Sequence, residues 1–150
     1  MKTILVAIDF STVTEPMMAV AVQMARAFDA KLCLVHVEPP DPSFVGYEAG
    51  PQTVRDAVAE EFREEHRKLH ALQKEVEAQG VAATSQFIQG PTIEKILEVG
   101  DEQEADLLVM GSHGHGALHH LLVGSVSEGV LRKARCPVLV VPSPRDRQEK

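Results

Sequence analysis

The stretch "DLLVMGSHGHGALHHLLVGSVSEGVLRKARCPVLVV", Asp106 to Val141, decides the fold. Leu107 to Met110 are continuously apolar, the signature of a strand covered on both faces within a parallel sheet. A run rich in glycine and histidine follows, then "VSEGVLRKA" with helical character, then "PVLVVP", a second aliphatic strand. Strand, loop, helix and strand in this order make a crossover unit, which joins parallel neighbours.

Working outward, the same alternation recurs. "TILVAI", Thr3 to Ile8, is another buried strand, ending at Asp9. Thr12 and Glu15 are spaced as a capping box, and Pro16 suits only a first helical turn. Met17, Met18, Val22, Ala25 and Phe28 then mark the apolar side of a helix, with the methionines as core filling. "AKLCLVHVEPP" is a second strand, and the Pro- and Gly-rich residues 39–50 read as a long loop. Val54, Val58, Phe62, Leu69, Leu72 and Val76 stripe a long helix whose other face is charged, stopped by Gly80. "ATSQFIQ" is a more polar strand suited to a sheet edge, and Ile93, Ile96 and Leu97 belong to a short helix after it. Such alternation predicts an α/β domain, an open parallel sheet with helices on both faces. If the winding reverses after the first half of the chain, the ends of the first and fourth strands become neighbours. Asp9 then lies beside Gly111 in the crevice where such folds bind ligands.

Composition narrows the function classes. The chain has 150 residues, 44% of them hydrophobic, enough for one core. No apolar run reaches the roughly 18 residues of a membrane span. "MKTILVAIDF" is interrupted by Asp9 and reads as a strand rather than a leader. Cys33 and Cys136 have no paired spacing, which fits packed thiols in a reducing compartment, and the cytoplasm is the expected location. Against 15 Lys and Arg stand 22 Asp and Glu, a formal charge of -7, with no basic stripe for nucleic acid.

Between the fourth strand and the last helix the spacing is Gly111-x2-Gly114-x9-Gly124-Ser125. Glycines directly after a buried strand let phosphates approach main-chain N–H groups, and a helix start at Ser125 offers unpaired donors and a favourable dipole. A plainer reading stands beside it: Ser125 and Glu128 form a capping box, and the glycines serve the turns. Neither the Walker pattern nor GxGxxG after the first strand is present, so the spacing alone leaves the ligand open.

These residues, with "VAIDFS", "LVHV", "ADLLVMGSHG" and "LLVGSVSEGVLRKARCPVLVV", resemble the universal stress protein family over about Lys2 to Val141. The glycine spacing resembles its ATP-binding branch. The resemblance implies a single-domain, adenine nucleotide alpha hydrolase-like fold with a five-stranded sheet of order 3-2-1-4-5. It implies a domain over 1–142 with a polar tail at 143–150. By position, Ala7 and Val37 would border adenine, and Met110 and Gly111 the base and ribose. Gly114 would form the phosphate turn, and Gly124, Ser125 and Val126 would meet the phosphates. Asp9 would face the nucleotide and a Mg²⁺ ion. Ala7 stands where some relatives carry proline. His115 stands where Lys or Arg is common, so no permanent positive charge lies in the loop. With ATP (or AMP) as ligand, neutralisation falls to main-chain dipoles, Mg²⁺ and protonated His113 or His115. Binding is therefore expected to need metal and to strengthen as pH falls through about 6.5.

His115 and His119 share a helical spacing but have no nearby Cys or acid to complete a zinc shell. His36, among apolar neighbours, reads as a core residue, Thr92 as an N-cap, and the acidic helix from Arg55 to Glu77 as a solvated face. The aliphatic last strand, at a sheet edge, predicts a homodimer through Pro137 to Val141, as the resemblance also implies. The expected function is a nucleotide-dependent stress regulator. The alternatives are a weak ATPase or phosphotransferase, or a nucleotide-free interaction protein of the same fold.

Overall fold

The computed structural model describes residues 1–40, 52–112 and 123–144. Five strands, β1 (Thr3–Ile8), β2 (Lys31–Glu38), β3 (Ala83–Gln89), β4 (Leu107–Gly111) and β5 (Val138–Val141), alternate with four helices. These are α1 (Thr14–Phe28), α2 (Gln52–Ala78), α3 (Thr92–Glu102) and α4 (Ser125–Lys133). The strands form one parallel sheet in the order β3-β2-β1-β4-β5. The fold class, the strand order and the edge position of "ATSQFIQ" all agree with the sequence reading.

The continuous apolar runs are explained by two cores. Ile4, Val6, Ile8, Leu32 and Leu34 pack under α1 and α2, while Leu5, Cys33, Val35, Val37, Leu108 and Met110 pack under α3 and α4. Successive residues of a strand point to opposite faces, so a strand covered on both sides is apolar at every position. Cys33 and Cys136 are free thiols; burial pushes the Cys33 thiol up, so it packs rather than reacts. Among the described residues no helix is long and apolar enough to cross a membrane.

Several local expectations are corrected. The N-cap of α1 is Val13, with no side-chain cap, so Thr12 and Glu15 form no capping box. Instead Asp9 Oδ1 accepts the Ser11 N–H at 3.0 Å, and the Thr14 N–H donates to the Ser11 carbonyl. A turn stabilised by Asp9 thus starts the helix. Phe28 closes α1 but is 52% exposed, the buried stripe ending at Ala25, and Asp29 turns left-handed (φ 53°) immediately after it. Pro91, not Thr92, is the N-cap of α3. Gly80, with φ 79°, terminates the segment after α2 as expected. Gly129 has a different purpose: a Cβ there would strike Ile93 of α3, so its bare backbone lets α4 lie against α3.

One prediction arises at the sheet's opposite end. Asp106 Oδ2 accepts the N–H groups of Lys2 (2.6 Å) and Thr3 (3.0 Å), which hold its carboxyl below the usual aspartate value. A depressed pKa contributes stability above the unfolded value of about 3.9, lost as pH falls through the folded value. Asp106→Asn should therefore lower stability at pH 6 and flatten its decline below pH 4. Urea melts at both pH values read the change, which solvent screening keeps modest.

Candidate functional site

β1 is the point where the winding reverses: the chain passes from β1 to β2 and β3 on one side, then crosses to β4 and β5 on the other. Pairing of β1 with β4 stops at Val6–Val109, whereas β1–β2 continues to Ile8–His36 and β4–β5 to Gly111–Val141. The two central strands part, and a cleft of about 440 Å³ opens between their carboxyl ends. That volume lies in the range of small-molecule sites.

Ala7, Asp9, Val37, Met110, Gly111, Gly124, Ser125 and Val126 all line the cleft. His113, Gly114 and His115, like His119 and His120, lie outside the described residues. The Gly124 N–H donates to the Ser112 carbonyl at 2.7 Å, and Ser127 Oγ donates to the Gly111 carbonyl at 2.7 Å. These bonds fasten the start of α4 to the end of β4 and set Gly111 beside Gly124. The proposed capping box at Ser125 is absent: Gly124 is the N-cap, no side chain caps the helix, and Glu128 pairs with Arg132 at 2.7 Å. The first intrahelical bond runs from the Glu128 N–H to the Gly124 carbonyl, so the amides of Ser125 to Ser127 precede the helical ladder. They form an anion-binding end at the cleft wall.

The cleft also carries residues that the sequence reading did not assign to the site. His36, Glu38, Glu65, Thr92, Ile96 and Ser127 also line the cleft. His36 is buried, as expected of a core residue, with its ring between Phe10 and Phe87 at centroid distances of 4.8 and 5.2 Å. Its Nδ1 donates to the Ile8 carbonyl at 2.8 Å. Nε2 faces Glu65 Oε2 at 3.3 Å and Glu38 Oε2 at 3.5 Å. Burial pushes the Glu38 carboxyl above its usual value, and the charge of Glu65 adds to the effect. Phe10 takes a left-handed backbone (φ 57°), uncommon for an aromatic residue, and so reaches His36. A signal for Glu65 existed in the sequence, since it falls on the stripe of Val58, Phe62, Leu69, Leu72 and Val76.

No Lys or Arg lines the cleft among the described residues, while Asp9, Glu38 and Glu65 do. A larger groove of about 710 Å³ between α1 and α2 is floored by Met18, Val22, Leu72 and Val76. It lies away from the strand ends, and Arg26 on its rim is engaged with the Gln79 carbonyl at 2.8 Å.

The sequence profile of the universal stress protein family matches residues 1–142. The chain belongs to the universal stress protein family. Universal stress protein MJ0531 of Methanocaldococcus jannaschii is 34% identical over 145 residues, covering 96% of this chain and 84% of that protein. A universal stress protein of Thermus aquaticus is 37% identical over 148 residues, covering 93% and 98%. Among solved structures, MJ0577 of M. jannaschii superposes with a TM-score of 0.79 at 28% identity, covering 94% of this chain and 95% of that one. Two more distant universal stress proteins share the fold, each with a TM-score of 0.67. One, 24% identical with 95% and 97% coverage, was solved in complex with cAMP. The other, from Archaeoglobus fulgidus and 22% identical with 93% and 97% coverage, was solved with dAMP.

Proposed function

We propose that this universal stress protein binds an adenine nucleotide, ATP or AMP, in the cleft between β1 and β4, as a nucleotide-dependent regulator in the cytoplasm. The observation that carries the reading is the meeting of Gly111, Gly124 and the uncapped start of α4 at the parted strand ends. Ala7, Val37 and Met110 offer an apolar wall for the base, and the Ser125 and Val126 amides offer donors for phosphate. The cAMP and dAMP complexes of the distant relatives support the adenine class of ligand.

An acidic cleft with no Lys or Arg among its described lining residues repels a polyphosphate, so a cation must accompany it. Asp9 fits Mg²⁺: it is a hard oxygen donor at the cleft, with Oδ1 engaged by the Ser11 turn and Oδ2 in no hydrogen bond among the described residues. Mg²⁺ would supply charge neutralisation, and Asp9 would orient it directly or through water. Absence of a basic clamp from the described lining favours binding over turnover. With no Trp and one Tyr, the protein absorbs little at 280 nm. A co-purified nucleotide should therefore dominate the spectrum near 260 nm. If ATP with Mg²⁺ neither co-purifies nor binds on titration, the reading fails.

The edge strand β5 is the proposed homodimer surface. Pro137 and Val141 direct their carbonyls to β4, so by alternation Val138 and Val140 turn their main-chain groups outward. Val140→Pro should keep the β4 ladder and remove an outward N–H. Sedimentation should show a wild-type dimer and a monomeric variant; two monomers, or two dimers, would exclude pairing at this edge.

A further inference from the structure

Independently of the nucleotide reading, the wall formed by β2 and α2 holds an unresolved meeting of acceptors. The Ile8 carbonyl can only accept, so Nδ1 of His36 carries the hydrogen, and Nε2 is directed at two carboxylates. His36 is 6% exposed, and its Nε2 and Glu65 Oε2, 3.3 Å apart, are both buried with no hydrogen bond among the described residues. Such groups are costly unless a shared proton or a bound metal ion joins them.

We propose that His36 Nε2 and the carboxylates of Glu38 and Glu65 bind one divalent transition metal of the zinc class on this wall of the cleft. Three features of the geometry support it. One donor atom from each residue can be chosen so that no two lie more than 4.8 Å apart. Tetrahedral zinc with bonds of about 2.0–2.1 Å sets its ligand atoms roughly 3.3 Å apart, and Nε2 lies 3.3 and 3.5 Å from the two carboxylate oxygens. Metal-binding histidines commonly donate their other ring N–H to a carbonyl or carboxylate, which fixes tautomer and orientation; the Ile8 carbonyl does this here, and Phe10 and Phe87 hold the ring. Imidazole and carboxylate donors suit zinc or its cobalt substitute better than Mg²⁺, which prefers oxygen alone. All three residues line the cleft, so an ion held by them would lie at its wall.

The test uses full-length protein freed of nucleotide and dialysed against chelator, then titrated with Zn²⁺ by calorimetry and with Co²⁺ by visible absorption. Wild type should take up one ion with the d–d bands of a four-coordinate site, and Zn²⁺ should raise its Tm. Glu38→Gln and Glu65→Gln should each weaken uptake at least about tenfold, the minimum expected when even an outer partner is lost, and should abolish the rise in Tm. Both side chains are partly exposed, so these variants open no buried cavity. Failure of wild type to bind either metal would overturn the proposal. So would unchanged affinity in the two variants, which would place the ion on other histidines. ATP binding in the absence of Zn²⁺ is measured separately and bears only on the nucleotide reading.

Discussion

Gly124→Val should leave a folded protein whose affinity for ATP with Mg²⁺ has fallen at least about 100-fold. Gly124 has φ -69° and ψ 162°, extended backbone open to any residue, so valine introduces no strain there. Valine is a poorer N-cap than glycine, a cost of about 1 kcal/mol that a domain of ordinary stability tolerates. The effect on binding is steric. Gly124 lines the cleft at the entry to α4, so a branched side chain there is expected to crowd a phosphate that approaches the amides of Ser125 and Val126. Loss of two charge-assisted hydrogen bonds at about 1.5 kcal/mol each or more corresponds to about 100-fold or more in affinity. Calorimetric titration gives the affinity and circular dichroism the fold. Equal affinity in a folded variant would remove the phosphate from this helix end.

Leu69→Ala should be the costlier change for the fold, by about 3 kcal/mol. α2 is heavily charged, and its described part is held to the core chiefly by Leu69 and Val76, which are 0% and 1% exposed. Truncating Leu69 removes apolar contact in the middle of the attachment and leaves a cavity between α2 and the sheet. For a domain of this size the melting temperature should fall by roughly 6–12 °C. Glu65 lies one turn away on the same stripe, so loosening α2 also displaces a wall of the cleft. Thermal unfolding followed at 222 nm reads the change; a shift below about 2 °C would mean that α2 is anchored elsewhere.

The architecture was legible because its inner strands β1, β2 and β4 are buried on both faces. "TILVAI" is uniformly apolar since Ile4 and Val6 serve one core and Leu5 the other. Alternation of elements implied the parallel sheet, while the winding reversal that brings Asp9 to Gly111 came with the strand order that the family resemblance implies. Capping was less legible. Thr12, Thr92 and Ser125 have the right chemistry, yet Val13, Pro91 and Gly124 take the N-cap positions without side-chain caps. At α1 Asp9 makes the turn, and at α4 the amides are left at the cleft. His36, Glu38 and Glu65 escaped for a different reason. They belong to elements separated by a long segment, and only packing of α2 over β2 and β3 brings Glu65 to the strand end. A short-range spacing search finds no such cluster, although a carboxylate within an otherwise apolar stripe marked one member of it.

The central claim is that main-chain amides at the start of α4 and the end of β4 hold the phosphates. Amide ¹H–¹⁵N spectra of ¹⁵N-labelled, nucleotide-free protein titrated with ATP and Mg²⁺ address those groups individually. The account predicts saturable shifts greatest at Gly111 and Ser125 to Ser127, with smaller ones at Ala7 and Val37. Shifts confined to the groove between α1 and α2, or none at millimolar ATP, would contradict it.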